Sequence, residues 1–262
     1  MAEPRNVCVA HRGWSGRAPE NTLAAVKLAM EEPDVFWIEI DVQLSKDHIP
    51  VVIHDYKLRR TTNGKGEVRN WTAAELGALD AGSWFSPLFK DEGVPTLDQV
   101  LALTAGRCNV NIELKTNGIR YPALEEQVLA SVRRFGVENE VVLTSFYAGA
   151  LNKLFKLTEG RIRTGLIIDG WRQTLPLELS QTGSTLLSID YSRLNKERVK
   201  LLKEAGIQVM AWTINEEQAI RKIAELDREL MICTNFPNRW RQAMAGLRDR
   251  TGEERENDRL DR

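Results

Sequence analysis

Two periodicities alternate along most of this chain. Short apolar runs of strand character are interleaved with segments whose apolar residues recur every three or four positions, the mark of an amphipathic helix. The runs read as strands are Asn6 to Ala10, Phe36 to Asp41, Asn109 to Lys115, Glu140 to Phe146, Arg163 to Ile168, Thr185 to Asp190, Ile207 to Thr213 and Leu230 to Asn235. Helices are predicted between them. One opens at Asn21 with Leu23, Val26 and Met30 at helical spacing, and one follows Thr96-Leu97-Asp98-Gln99, which has the spacing of a capping box. Tyr121 to Phe135 places Leu124, Val128, Val132 and Phe135 on one face. Further helices are expected near Ala148 to Leu157, Leu175 to Thr182 and Leu194 to Ala205, from a capped start at Asn215 through Leu226, and from about Pro237 to Leu247.

Eight strand and helix units in about 245 residues is the size and order of an α/β chain folded as a (β/α)8 TIM barrel. A doubly wound sheet is the alternative, but it usually carries a Gly-rich loop after its first strand, where this chain has His11-Arg12-Gly13. The apolar run Pro50 to Ile53 follows the second strand with no helix between, so it belongs to an insertion spanning about 43–93. That insertion is rich in Thr, Gly and aromatic residues, including Trp71, Trp84 and Phe85. The barrel is expected over 1–245, and 246–262 is almost wholly polar or charged, which fits a solvated tail.

Composition narrows the chemistry. Lys and Arg number 36 against 37 Asp and Glu, a formal net charge of −1, so no overall field favours nucleic acid or an anionic membrane. Any anionic substrate must be gripped locally. No apolar segment has membrane-spanning length, and the start of the chain has no long apolar core behind a basic stretch; the reading is a cytoplasmic protein without a stable membrane anchor. Cys8, Cys108 and Cys233 are odd in number and form no metal-type pair, as reduced buried thiols would. No signal specifies an oligomeric state.

The chemistry concentrates in Phe36 to Asp55, FWIEIDVQLSKDHIPVVIHD. In a strand, Glu39 and Asp41 share one face while Ile38, Ile40 and Val42 take the other. The chain turns around Lys46-Asp47-His48 and returns to His54-Asp55, near the paired acids if the two runs form a hairpin. The plain alternative is an edge strand with solvated acids. Active sites of TIM barrels sit where strands end, and here the first strand ends in His11-Arg12, the third in Glu113 and Lys115, and the seventh in Trp212. Carboxylates without a Cys or His cluster point to a hard cation, Ca²⁺ or Mg²⁺, rather than zinc. His11 and His54 are candidates for base and acid on either side of a metal-bound phosphate, and Arg12 for a bidentate grip on its oxygens. Each has an ordinary reading too: a core histidine, a turn histidine bonded to Asp55, a salt bridge from Arg12 to Glu20 or Glu39, an ion pair of Glu113 with Lys115, and a core Trp212. His48 fits no role.

These residues sit within a set of ordered motifs: AHRG, APENT at 18–22, the Glu39-x-Asp41 pair, HD followed by RTTNG at 60–64, LDAGSWF, VPTLDQVL, IELK at 112–115, TSF and WTIN. Together they make the chain resemble the glycerophosphodiester phosphodiesterases from about Val7 to Pro237. The resemblance implies a TIM barrel with a small insertion after the second strand. It implies one divalent cation on Glu39, Asp41 and Glu113, His11 and His54 as the acid/base pair, and phosphate contacts from Arg12 and Lys115. Glu20 and Asn21 would line the same site, with Trp212 among the substrate-binding residues. The implied substrate is a small glycerophosphodiester, cleaved to glycerol 3-phosphate and an alcohol. Lysophospholipase D activity is the nearest alternative, against which the sequence offers no exposed apolar anchor, and a catalytically silent phosphodiester-binding module is another. Three supporting positions depart from the family: His48 where Gly is usual, Tyr56 where a second Asp often follows HD, and Asn235 where TD-x-P has Asp.

Overall fold

The computed structural model describes residues 6–247. Eight parallel strands form a closed barrel: β1 (Cys8–His11), β2 (Val35–Leu44), β4 (Asn109–Leu114), β5 (Val141–Ser145), β6 (Arg163–Ile168), β7 (Leu186–Asp190), β8 (Gln208–Trp212) and β9 (Met231–Thr234). Pairing of β1 with both β2 and β9 closes the ring. The ninth strand, β3 (Pro50–Val52), runs antiparallel to the end of β2. The TIM barrel and the hairpin return are thus as the patterning implied.

Helices α1 (Leu23–Glu31), α3 (Leu97–Thr104), α4 (Leu124–Phe135), α5 (Ala148–Thr158), α6 (Leu175–Thr182), α7 (Lys196–Glu204) and α8 (Glu217–Ala224) alternate with the strands. The main core lies between this outer layer and the barrel wall, and Ile38, Ile40 and Val42 of β2 are all fully buried in it. Inside the barrel, Val9, Val142, Leu186, Met210, Met231 and Cys233 pack into an apolar plug with Trp37. The chemistry is built on top of that plug. All three cysteines are buried and free, and no described helix is long and apolar enough to cross a membrane.

The insertion carries the short helix α2 (Ala73–Gly77) and a satellite core of Val51, Ile53, Leu58, Val68, Ala73, Leu76, Ala81 and Val94. Its weak periodicity follows from single 3-10 turns at Leu58–Arg60, Val68–Asn70 and Pro87–Phe89, each too short to repeat a pattern. The capping box forms at Thr96 and Gln99 as its spacing requires. The expected cap at Asn215 does not form. Asn215 Oδ1 instead accepts the Asn235 backbone N–H at 3.0 Å, tying the end of β9, and α8 begins behind Glu216 without a side-chain cap. A last helix runs over 237–247, so it still includes Gly246 and Leu247; the rest of the charged tail expected from 246 lies outside the described residues.

Candidate active site at the barrel mouth

Parallel registration of adjacent strands brings the acids together. His11 of β1 stands opposite Glu39 of β2, and Asp41 of β2 opposite Glu113 of β4. Side chains of alternate residues enter the barrel, so Glu39, Asp41 and Glu113 rise at the carboxyl ends of two neighbouring strands. Each offers a carboxylate oxygen, and the three atoms lie within 4.8 Å of one another. The hairpin completes the set: Val42 pairs with Val52, the Ile53 N–H donates to the Asp41 carbonyl at 2.9 Å, and His54 follows at the rim.

Burying like charges together is costly unless cations answer them. Burial and then repulsion from Asp41 push the Glu113 carboxyl up to about 7, and the same two causes, with Glu113 added, raise Glu39 well above the usual carboxylate range. Burial also acts to raise Asp41, but the charges of Arg12 and Lys115 outweigh it and hold that group ionised. Lys115 Nζ lies 2.8 Å from Glu113 Oε1 and 3.6 Å from Asp41 Oδ1. Arg12 Nε is 3.1 Å from Asp41 Oδ2, its Nη1 donates to Glu20 Oε1 at 2.8 Å, and its backbone N–H donates to Glu39 Oε2 at 3.0 Å. Asn21 Nδ2 donates to Asp41 Oδ2 at 2.8 Å, fixing that carboxylate from behind. Even so, Glu39 Oε1 and Asp41 Oδ1 are buried and accept no hydrogen bond among the described residues. Two buried carboxylate oxygens without a hydrogen bond, beside a third acid, are what a hard cation would satisfy, so the triad fits a metal ion.

The two histidines meet different surroundings. His11 Nδ1 is 2.7 Å from the amide Oδ1 of Asn235, an acceptor, so Nδ1 carries the proton. Nε2 then presents its lone pair 3.8 Å from Glu39 Oε2. Burial, and next the charge of Arg12, lower the His11 pKa to about 4, which keeps the ring neutral at neutral pH. His54 Nδ1 instead faces Asp55 Oδ1 at 2.7 Å, and hydrogen bonds from Arg60 lead the effects that hold Asp55 at about 2. Beneath them, Gln43 Nε2 lies 2.9 Å from the carbonyl oxygens of Ile53, His54 and Asp55, and the Tyr121 hydroxyl donates to Gln43 Oε1 at 2.9 Å.

His11, Arg12, Glu39, His54, Glu113, Lys115 and Trp212 line one cleft at the mouth. Asp41 lies fully buried beneath it, and Glu20 and Asn21 act on it through Arg12 and Asp41. Several ordinary readings hold at the same time, since Arg12 does pair with Glu20, Lys115 with Glu113, and His54 with Asp55. The cleft also includes Asn111, Phe146 and Ser188, which the sequence reading missed. Asn111 could have been found by alternation, being two residues before Glu113, and Gln43 likewise, two after Asp41. Among the three family departures, His48 sits at φ 58°, the left-handed region where Gly is easiest, and Tyr56 stacks under Arg120 with 4.2 Å from Cζ to the ring centre. Asn235 is the partner of His11.

Glu113 holds a proton up to about pH 7 without a metal, and a carboxylate must shed it to become a ligand. Saturating Mg²⁺ or Ca²⁺ should therefore raise the melting temperature more at about pH 8 than at about pH 5.5. Thermal unfolding with and without the ion at both pH values measures this; an equal rise at both, or none at either, contradicts the triad as a metal site.

The matrix of similarities agrees with the geometry. Residues 11–239 match the model of the glycerophosphoryl diester phosphodiesterase family. A glycerophosphodiester phosphodiesterase of Caldanaerobacter subterraneus subsp. tengcongensis is 34% identical over 225 residues, covering 84% of this chain and 90% of its own length. One from Bacillus altitudinis is 36% identical over 238 residues, covering 88% and 94%. Among solved structures, an Oleispira antarctica phosphodiesterase in complex with the product sn-glycerol-3-phosphate superposes with a TM-score of 0.81 at 32% identity, covering 92% of this chain and 97% of that one. On this evidence of motif, fold and identity, the chain belongs to the glycerophosphoryl diester phosphodiesterase family.

Proposed function

We propose that this enzyme, a phosphoric diester hydrolase by family, cleaves glycerophosphodiesters such as glycerophosphocholine or glycerophosphoethanolamine to glycerol 3-phosphate and the free alcohol. The observation that carries the reading is one cleft in which a three-carboxylate cluster is flanked by His11, His54, Arg12 and Lys115. The product bound by the Oleispira enzyme supports the same substrate class. Glu39, Asp41 and Glu113 would hold one Ca²⁺ or Mg²⁺, and an ion bound there neutralises charge on the phosphate oxygens.

The side chains divide the remaining work. Neutral His11 takes the proton of the attacking hydroxyl at Nε2, because its Nδ1 proton is committed to Asn235. That hydroxyl is either the glycerol 2-hydroxyl, which gives a cyclic phosphate that water then opens, or water itself. As the bond from phosphorus to the alcohol oxygen breaks, His54 delivers a proton from Nε2 to that oxygen, its ring oriented by Asp55 at Nδ1. Arg12 and Lys115 oppose the phosphate charge that grows toward the transition state. Both cations already lie against the triad, so little reorganisation accompanies the reaction.

A second reading gains from one feature of the mouth. Phe146 is 50% exposed and meets the edge of Trp212 with ring centres 6.1 Å apart. Its neighbour Tyr147 is 41% exposed, and Ile119, on the loop after β4, is 86% exposed. Phe146 lines the cleft, so an exposed apolar lip on the loops here would favour an acyl chain, as on a lysophospholipid. No local pattern reveals it, because the residues come from separate loops.

Release of glycerol 3-phosphate from glycerophosphocholine should stop with EDTA and return with Mg²⁺ or Ca²⁺, and Glu39→Gln, Asp41→Asn and Glu113→Gln should each lose it. Choline release from lysophosphatidylcholine, which leaves lysophosphatidate, decides the second reading, which requires Phe146→Ala to harm the acylated substrate more than the unacylated one. Metal-independent release, or wild-type metal affinity in the three variants, would refute the ligand assignment.

The histidine roles predict opposite sensitivities to the leaving group. His54→Ala should impair glycerophosphocholine far more than the p-nitrophenyl ester of glycerol 3-phosphate, since nitrophenolate departs without a proton. His11→Ala should impair both alike. If the better leaving group rescues His11→Ala instead, acid and base exchange; if it rescues neither, general acid catalysis by these histidines is wrong.

A further inference from the structure

Arg60 belongs to none of the roles above, yet its guanidinium joins two parts of the site. It stands on the 3-10 turn Leu58–Arg60 of the insertion, which the fully buried Leu58 anchors. Its Nε donates to Asp55 Oδ2 at 2.6 Å and its Nη2 to Asp55 Oδ1 at 3.1 Å. From the same group, Nη1 donates to Glu20 Oε2 at 2.8 Å and Nη2 to Glu20 Oε1 at 2.7 Å. Each carboxylate has one more commitment toward the cleft. Asp55 holds His54 Nδ1, and Glu20 holds Arg12 Nη1, while Nε of the same guanidinium lies on Asp41.

An exposed ion pair contributes little by itself, and Arg60 is half exposed. Two bidentate forks on one planar cation are a different case, because they fix angles as well as distances. Gln43 fixes the backbone of 53–55 from below, but rotation of the His54 ring is restrained by Asp55. Asp55 is itself oriented by Arg60. On the other flank, the Glu20 carboxylate that holds Arg12 is oriented by the same guanidinium.

We propose that Arg60 is a positioning residue that locks His54 and Arg12 into one register, coupling the group that protonates the leaving alcohol to the group that grips the phosphate. The inference rests on the roles assigned above to those two residues. Arg60 touches neither substrate nor metal in this scheme, and it works by keeping Asp55 and Glu20 aligned.

The test uses the full chain loaded with Mg²⁺ or Ca²⁺ and two substrates, glycerophosphocholine and the p-nitrophenyl ester of glycerol 3-phosphate. Arg60→Ala should lower kcat on glycerophosphocholine about 10- to 100-fold, the usual effect of removing an outer-sphere orienting group, and should lower it less on the nitrophenyl ester. Combined with Asp55→Asn, it should cost no more than the worse single variant, because both break one link. Arg60→Lys keeps the charge without the fork and should recover only part of the rate. Equal losses on both esters, additive losses with Asp55→Asn, or full activity in Arg60→Lys would overturn the proposal. His54→Ala is measured beside them. If it shows no leaving-group dependence, the general-acid assignment fails, and the cycle with Asp55→Asn still decides whether Arg60 acts through Asp55.

Discussion

Mutual repulsion among three clustered carboxylates, two of them buried, is the constraint on which this site depends. Glu39, Asp41 and Glu113 are brought within 4.8 Å by strand registration alone, and nothing in the barrel lets them move apart. Among the described residues, the side chains of two permanent cations, Arg12 and Lys115, press against them. Three acids against two bases leave an excess of one negative charge, which a divalent ion would turn into one positive charge. That is the complement of a phosphodiester, which carries a single negative charge. The raised carboxyls of Glu39 and Glu113 show how unfavourable the cluster is without such an ion. The fold tolerates it because its stability lies elsewhere, in the layer between helices and barrel wall and in the apolar plug beneath.

The same fold separates two chemically identical imidazoles. His11 is half-buried against an amide oxygen, near the Arg12 guanidinium, both of which suit a neutral ring. His54 stands at the rim against a carboxylate, which suits a charged one. The two rings thus meet different partners, an uncharged amide at His11 and a carboxylate at His54. Asn235 matters here: at the position where relatives with TD-x-P carry Asp, it supplies an acceptor without a charge.

Much of this was legible in the sequence, and the reasons are specific. The barrel could be read because each strand and helix repeats a period over enough residues. Glu39 with Asp41, and Glu113 with Lys115, could be read because alternation within a strand needs no tertiary information. His54 was reachable because a hairpin is a local object. The cap expected at Asn215 failed because its side chain is taken by Asn235, twenty residues on, a competition no local pattern records. Arg60 stayed hidden although its motif was in view, since its two partners lie 5 and 40 residues away. The apolar lip was invisible for the same reason, being assembled from loops that follow different strands.

On the proposed reading, the triad engages phosphate through a cation rather than leaving the work to Arg12 and Lys115. Calorimetric titration with sn-glycerol 3-phosphate, with and without Mg²⁺ or Ca²⁺, tests it in the wild type and in Glu113→Gln. The ion should strengthen product binding by about tenfold or more in the wild type, and Glu113→Gln should lose most of that gain. Equal affinity with and without the ion in the wild type would contradict it.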